Sequence, residues 1–99
     1  MKRSLWSGVT AEPYRVALSP TARRNLSQYL PELFALAAVE LIHQGIAHQP
    51  YRRGRQLSPP LERVWKANRG TYRVLYEIDE HQRIIRILRI AHRRDAYRT

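Results

Sequence analysis

The chain has 99 residues, which is room for one domain with one modest core. It carries 18 Lys and Arg against 8 Asp and Glu, for a formal charge of +10, and it has no Cys. Disulfides, thiolate metal sites and a Cys nucleophile are therefore excluded, and a polyanionic partner is the natural reading of so large a positive charge. The charge is unevenly placed: residues 1–49 hold 5 basic and 3 acidic side chains, whereas residues 50–99 hold 13 and 5. The anion-binding surface is expected in the second half. Sixteen of the basic residues are Arg, whose planar fork grips phosphate in two places, although a GC-rich genome also enriches Arg. The start lacks the apolar core of a signal peptide and no apolar run is long enough to span a bilayer, so a cytoplasmic protein with no membrane partner is expected.

Residues 1–12 show no sustained period and read as a poorly tied arm ahead of a domain at 13–99. From Tyr14 to Leu18 the apolar Tyr14, Val16 and Leu18 alternate with Arg15 and Ala17, the period of a half-buried strand. Ser19 is a good N-cap and Pro20 suits the first helical position, so a short helix is predicted from Pro20 to about Tyr29. Pro31 marks a second start. Leu30, Leu33, Phe34, Ala37, Ala38, Leu41 and Ile42 then recur at three- and four-residue steps, one broad apolar helical face.

After Gly45, the stretch from His48 to Pro60 holds three prolines, Gly54 and the cations Arg52, Arg53 and Arg55, and reads as a basic loop. Three strand-like segments follow, Leu61–Asn68, Tyr72–Asp79 and Arg83–Ala91, joined by short connections that make an antiparallel meander. The fold class is thus α+β, in the order β-α-α-β-β-β with a short C-terminal tail. Two N-terminal helices cover one face of a small antiparallel sheet. In the Tyr72–Asp79 segment, Tyr72, Val74, Tyr76 and Ile78 share a side, which leaves Arg73 on the open face.

Two stretches put cations beside groups able to move protons: Lys66 to Arg73 on a strand, turn and return strand, and His92 to Arg98 at the end. As a set these residues resemble the RelE/ParE superfamily of bacterial toxins, in its RelE branch. The resemblance runs from about Pro13 to Thr99 and rests on Tyr14-Arg15-Val16, Ala22 to Leu26, Gly70 to Asp79 and His92 to Tyr97. It implies a toxin of a type II toxin–antitoxin system, with a RelE-like fold and a cognate RelB-like antitoxin as partner. The implied activity is endoribonuclease cleavage of mRNA in the ribosomal A site, against ribosomal RNA, by attack of a ribose 2′-OH on the adjacent phosphate. No metal and no cofactor are implied.

By motif position, Arg73 matches an arginine that stabilises the phosphate and Lys66 a lysine on the neighbouring strand. Arg93 matches an arginine proposed as general acid and Tyr97 a tyrosine proposed as general base. A short gap in the matching lets Arg94 stand in for Arg93. Val64 stands where some members have a second lysine; Arg63, Arg69 or the basic loop could replace its charge.

The chemistry is sound on its own terms, since cations around a tyrosine favour phenolate and also stabilise charge developing on the phosphate. His92 at the sheet rim joins the catalytic candidates, and Arg52, Arg53, Arg55, Arg63, Arg69, Arg94 and Arg98 are the candidate RNA contacts. Tyr72, Tyr76 and Trp65 read as core aromatics. His43 and His48 lack the spacing of a helical metal pair. For Tyr97 the competing role is an anchor that ties the tail to the sheet. The rival functions are a ParE-like toxin that inhibits DNA gyrase without a nuclease site, and a basic nucleic-acid-binding module.

Overall fold

The computed structural model describes residues 12–92. The 1–12 arm, Glu12 apart, and the tail candidates Arg93, Arg94, Tyr97 and Arg98 lie outside the described residues. Strand β1 spans Arg15–Leu18. Ser19 then turns the chain: its extended backbone and its Oγ, which accepts from the Ala22 amide at 3.0 Å, cap helix α1, Pro20–Arg24, with Pro20 in the first turn. The same hydroxyl donates to the Leu88 carbonyl at 2.8 Å, so the cap also fixes the helix to the sheet.

Helix α1 continues as a wider π-helical turn, Asn25–Tyr29, closed by the Leu30 amide on the Asn25 carbonyl. Leu30 is extended ahead of Pro31, as a residue preceding proline prefers. Helix α2, Glu32–Glu40, ends in a second π-helical stretch, Leu41–Ile46. The two predicted helices are thus present, each with a widened last turn that propensity alone does not signal.

The predicted apolar face of α2 is only partly buried. Ala38, Leu41 and Ile42 enter the core, but Leu33 is 79% exposed and Phe34 42%. The core joins these helical residues and Ala22 to Val74, Tyr76, Ile85, Ile87 and Ile90 of the sheet, so both helices lie on one sheet face.

The His48–Pro60 stretch, expected to be loop throughout, holds a short helix α3, Pro50–Arg53, and a two-residue strand β2, Arg55–Gln56. Pro50 at the helix start supplies a preset φ, and Gly54 lets β2 close on its neighbour. The expected Leu61–Asn68 strand starts later: residues 61–64 are turn, and β3 is Trp65–Arg69. Strands β4, Tyr72–Asp79, and β5, Ile84–His92, complete a five-stranded sheet in the order β1-β5-β4-β3-β2.

The meander β2 to β5 is antiparallel, as predicted for its last three strands. β1 instead pairs with β5 in parallel, because the two helices carry the chain across one face before it returns. Among the described residues no helix is long and apolar enough to cross a membrane.

Candidate functional site

The open face of the sheet follows from register. Arg55 pairs with Lys66, Lys66 with Leu75, and Leu75 with Arg89, which gives one row across four strands. Three strand spacings make that row roughly 14 Å wide. Asn68, Arg73 and Ala91 form the next row, and the Arg73 Nε donates to the Asn68 Oδ1 at 2.8 Å. Because Val74 and Tyr76 are buried under the helices, Arg73, Leu75 and their row partners belong to the other face.

Arg89 had no place among the sequence candidates. Ile85 and Ile87 are buried, and strict alternation from them would bury Arg89 too. The pairing changes between Leu75 opposite Arg89 and Tyr76 opposite Ile87, so Leu88 is an extra residue, a β-bulge. Beyond it Ile90 is buried, Arg89 joins the Lys66 row, and His92 joins the opposite side. The only sequence signal for this is the spacing of Ile85, Ile87 and Ile90, which breaks period two once.

Arg52, Arg53, Arg55 and Lys66 come together around a cleft of about 370 Å³ at the β2–β3 edge, and among the described residues no acidic side chain lines it. Gly54 sits in its wall. A Cβ there would stand 2.6 Å from the Lys66 carbonyl and against the Tyr76 hydroxyl. That hydroxyl donates to the Pro50 carbonyl at 2.6 Å, and burial pushes its pKa far up, so it is a neutral donor that fixes α3 beneath the cleft.

Three candidates fall elsewhere. Arg69, opposite Tyr72, reaches Glu40 of α2 at 2.8 Å and so belongs to the rim of the helix side. Arg63 lines a different cleft together with Glu62, Glu77, Asp79 and Glu80. His92 packs its ring edge-on to Tyr72 at 5.6 Å, and Tyr72 in turn stacks on Phe34 of α2 at 4.5 Å. His92 and Arg73, one residue out of register, are therefore on opposite faces. Among the described residues no three metal-ligating side chains converge.

The far end of the sheet is a satisfied network. Glu80 accepts from Tyr14 Oη at 2.6 Å and Tyr51 Oη at 3.0 Å, and faces Arg83 at 3.4 Å. The two hydroxyls, with Arg83, hold its carboxyl below the usual range. Burial, reinforced by the bond to Glu80, pushes Tyr14 up to about 12. Asp79 is held low by the Gln82 amide and by Arg86 at 2.9 Å.

Comparison with known proteins defines the class. A family model described as the ParE toxin of type II toxin–antitoxin systems, parDE, matches residues 11–97. Toxin RelG of Mycobacterium tuberculosis is 42% identical over 86 residues, 87% of this chain and 98% of that protein. Toxin RelE of the same organism is 43% identical over 86 residues, 87% and 88% of the two chains. A chain of the RelBE2 toxin–antitoxin complex from M. tuberculosis superposes with a TM-score of 0.77 at 40% identity, covering 82% of this chain and 99% of that one. These matches define a small α+β toxin of the type II toxin–antitoxin class. The chain belongs to the RelE/ParE toxin superfamily.

Proposed function

We propose that the chain is a metal-independent endoribonuclease of the RelE kind, which cuts mRNA in the ribosomal A site and is held inactive by a cognate RelB-like antitoxin. One observation carries the reading: Arg55, Lys66, Arg73 and Arg89 are gathered in adjacent rows on the sheet face that the helices leave uncovered. A surface of that charge and width suits several successive phosphates of a single strand. The reaction belongs in the cytoplasm, where ribosomes are. RelBE complexes of known structure, among them the mycobacterial one, support an antitoxin partner.

In this reading the ribose 2′-oxygen bonds to the neighbouring phosphorus, the bond from phosphorus to the 5′-oxygen breaks, and no water or metal is consumed. Tyr97 takes the 2′-proton and Arg93 or Arg94 returns one to the leaving 5′-oxygen. Arg73 and Lys66 stabilise charge on the phosphate oxygens as it develops. These roles for the tail rest on the motif resemblance, since the tail lies outside the described residues. His92, on the helix side of the sheet, contributes as a neighbour of the tail rather than as a partner of Arg73.

The test is single-turnover cleavage on programmed ribosomes, with binding measured in parallel. Arg73→Ala should lower the rate about 10²–10³-fold with folding intact. Tyr97→Phe should keep binding and lose most of the cleavage. A message with a single 2′-deoxy nucleotide at the cut should survive, and cutting of that message would exclude 2′-attack. Because the matching family model is that of ParE toxins, DNA is the control readout. Growth arrest with intact transcripts and cleaved DNA would transfer the chain to the gyrase-inhibitor reading.

A further inference from the structure

The open sheet face supplies cations to a nucleic acid strand but, among the described residues, offers it no aromatic ring. Its central positions are Arg55, Lys66, Leu75, Arg89, Asn68 and Arg73. Recognition of single-stranded nucleic acid normally combines a basic track with rings on which bases stack. The rings stand around the edge of the sheet, in a second cavity. β1 ends at Leu18 opposite Ile87, while β5 continues to His92, so among the described residues no strand lies beside the last residues of β5 on that side. The π-helical turn after α1 takes the vacant place. Asn25 accepts from the Ile90 amide at 2.8 Å, and between the two elements lies a groove of about 720 Å³.

That volume falls in the range of small-ligand sites, about 300–1,000 Å³. Its lining includes Tyr29, Tyr72, His92, Arg24 and Arg89, and among the described residues no acidic side chain lines it. The acid-bearing cleft of 580 Å³ at the other end of the sheet differs in this respect, since Glu62, Glu77, Asp79 and Glu80 all line it. Tyr29 is 68% exposed, a large ring held at the lip of the groove without a core role. Arg89 belongs to both places: its backbone stands in the Lys66 row and it lines the groove. A strand lying across the cationic rows is thus led over the edge of β5 into a pocket with rings for a base and cations for its phosphate.

We propose that this groove is a nucleotide subsite for single-stranded RNA, taking a base that flanks the cleaved phosphate, with Tyr29 as the stacking ring and Arg24 as the phosphate contact. The substrate class rests on the ribonuclease reading, but binding at the groove does not require cleavage. Tyr29 and Arg24 are both exposed, so Tyr29→Ala and Arg24→Ala leave the core untouched, which melting temperatures will verify.

The experiment is fluorescence-anisotropy titration of the full chain with an eight-nucleotide RNA whose riboses all carry 2′-fluorine, which no 2′-attack can cut. One abasic position is walked along the octamer. The unaltered chain should show one position at which loss of the base weakens binding roughly tenfold. Tyr29→Ala should erase that position-specific loss, and Arg24→Ala should reduce the slope of log affinity against log salt by about one. Unchanged affinity and slope in both variants, no position-specific loss, or no binding of the octamer would each overturn the subsite. So would weakened binding of a protein partner with RNA binding intact, which would give the groove to that partner. Groove-dependent binding with no message ever cut would retain the subsite and remove the ribonuclease reading; normal cutting by variants with unchanged RNA affinity would do the reverse.

Discussion

Two regions of one sheet do opposite things with charge. At the β4–β5 turn, acids and bases are matched: Glu80 gathers Tyr14, Tyr51 and Arg83, and Asp79 holds Arg86. Arg83 even accepts a positive φ of 58°, with its guanidinium 3.8 Å over the Tyr14 ring. At the β2–β3 end, Arg52, Arg53, Arg55 and Lys66 line one cleft with no acid among the described residues of its walls. Like charges brought together cost folding energy, so that end must be held by something other than charge. Tyr76, Pro50 and Gly54 hold it, through a buried hydrogen bond and a close backbone approach. The β2–β3 region is thus held by neutral contacts beneath its cations, whereas the β4–β5 turn matches its charges in pairs.

The largest expected effect comes from breaking the neutral support. Gly54→Ala places a methyl against the Lys66 carbonyl and the Tyr76 hydroxyl, and neither a backbone strand nor a buried ring can withdraw cheaply. A loss of about 1–3 kcal/mol in denaturant midpoint experiments is expected, together with weaker RNA binding by the folded fraction as β2 shifts off β3. Unchanged stability would mean that the cationic cleft is not held by this contact.

A smaller effect tests the other end. Glu80→Gln keeps the shape but removes the charge that Tyr14 and Tyr51 share, at a cost of about 1 kcal/mol at neutral pH. Since Glu80 is held low in the folded chain, its contribution is present above the ordinary carboxylate range and is lost as pH falls from that range through the lowered folded value. Tyr14 gives the opposite limb: its folded value near 12 exceeds the ordinary 10.0, so stability is present below pH 10 and lost as pH rises toward 12. Unfolding midpoints across pH should show both limbs in the parent chain and a weaker acid limb in the variant, with the proposed RNA cleavage unchanged in the folded protein. Altered cleavage at full folding would show that the two ends are coupled.

How much of this was legible in the sequence depended on which forces set each piece. β4 was readable to its ends, because alternation from Tyr72 to Ile78 records a face turned to the core, buried at Val74 and Tyr76 and half-buried at both ends. Arg73's face followed from the same alternation. The parallel seat of β1 was not readable, since pairing across two helices leaves no local trace. α3 and β2 were hidden by a composition of Pro, Gly and Arg that reads as loop, although Tyr76 and Gly54 hold them by contacts remote in sequence. The Leu88 bulge concealed Arg89 and moved His92 to the helix side. The groove beside α1 depended on a π-helical turn for which no propensity exists.

The smallest expected effect is at Arg69, and it distinguishes position from charge. Arg69 is a cation only three residues from Lys66, yet it pairs with Tyr72 in register and with Glu40 of α2 by an ion pair of 2.8 Å. The partners of that pair are exposed at 48% and 62%, so water screens it and its removal should cost only about 0–1 kcal/mol. If the RNA track is the open face, Arg69→Gln should leave both the affinity and its salt slope nearly unchanged. Arg55→Gln, the same change of charge on the Lys66 row, should lower the slope by about one. Salt titrations of RNA binding by the two variants in parallel read the difference directly. Equal slopes would mean that the chain attracts RNA by net charge alone and that the division between the faces of the sheet has no part in binding. A larger fall for Arg69→Gln would move the track to the helix-side rim, where Glu40 would then have to give up its partner to the phosphate.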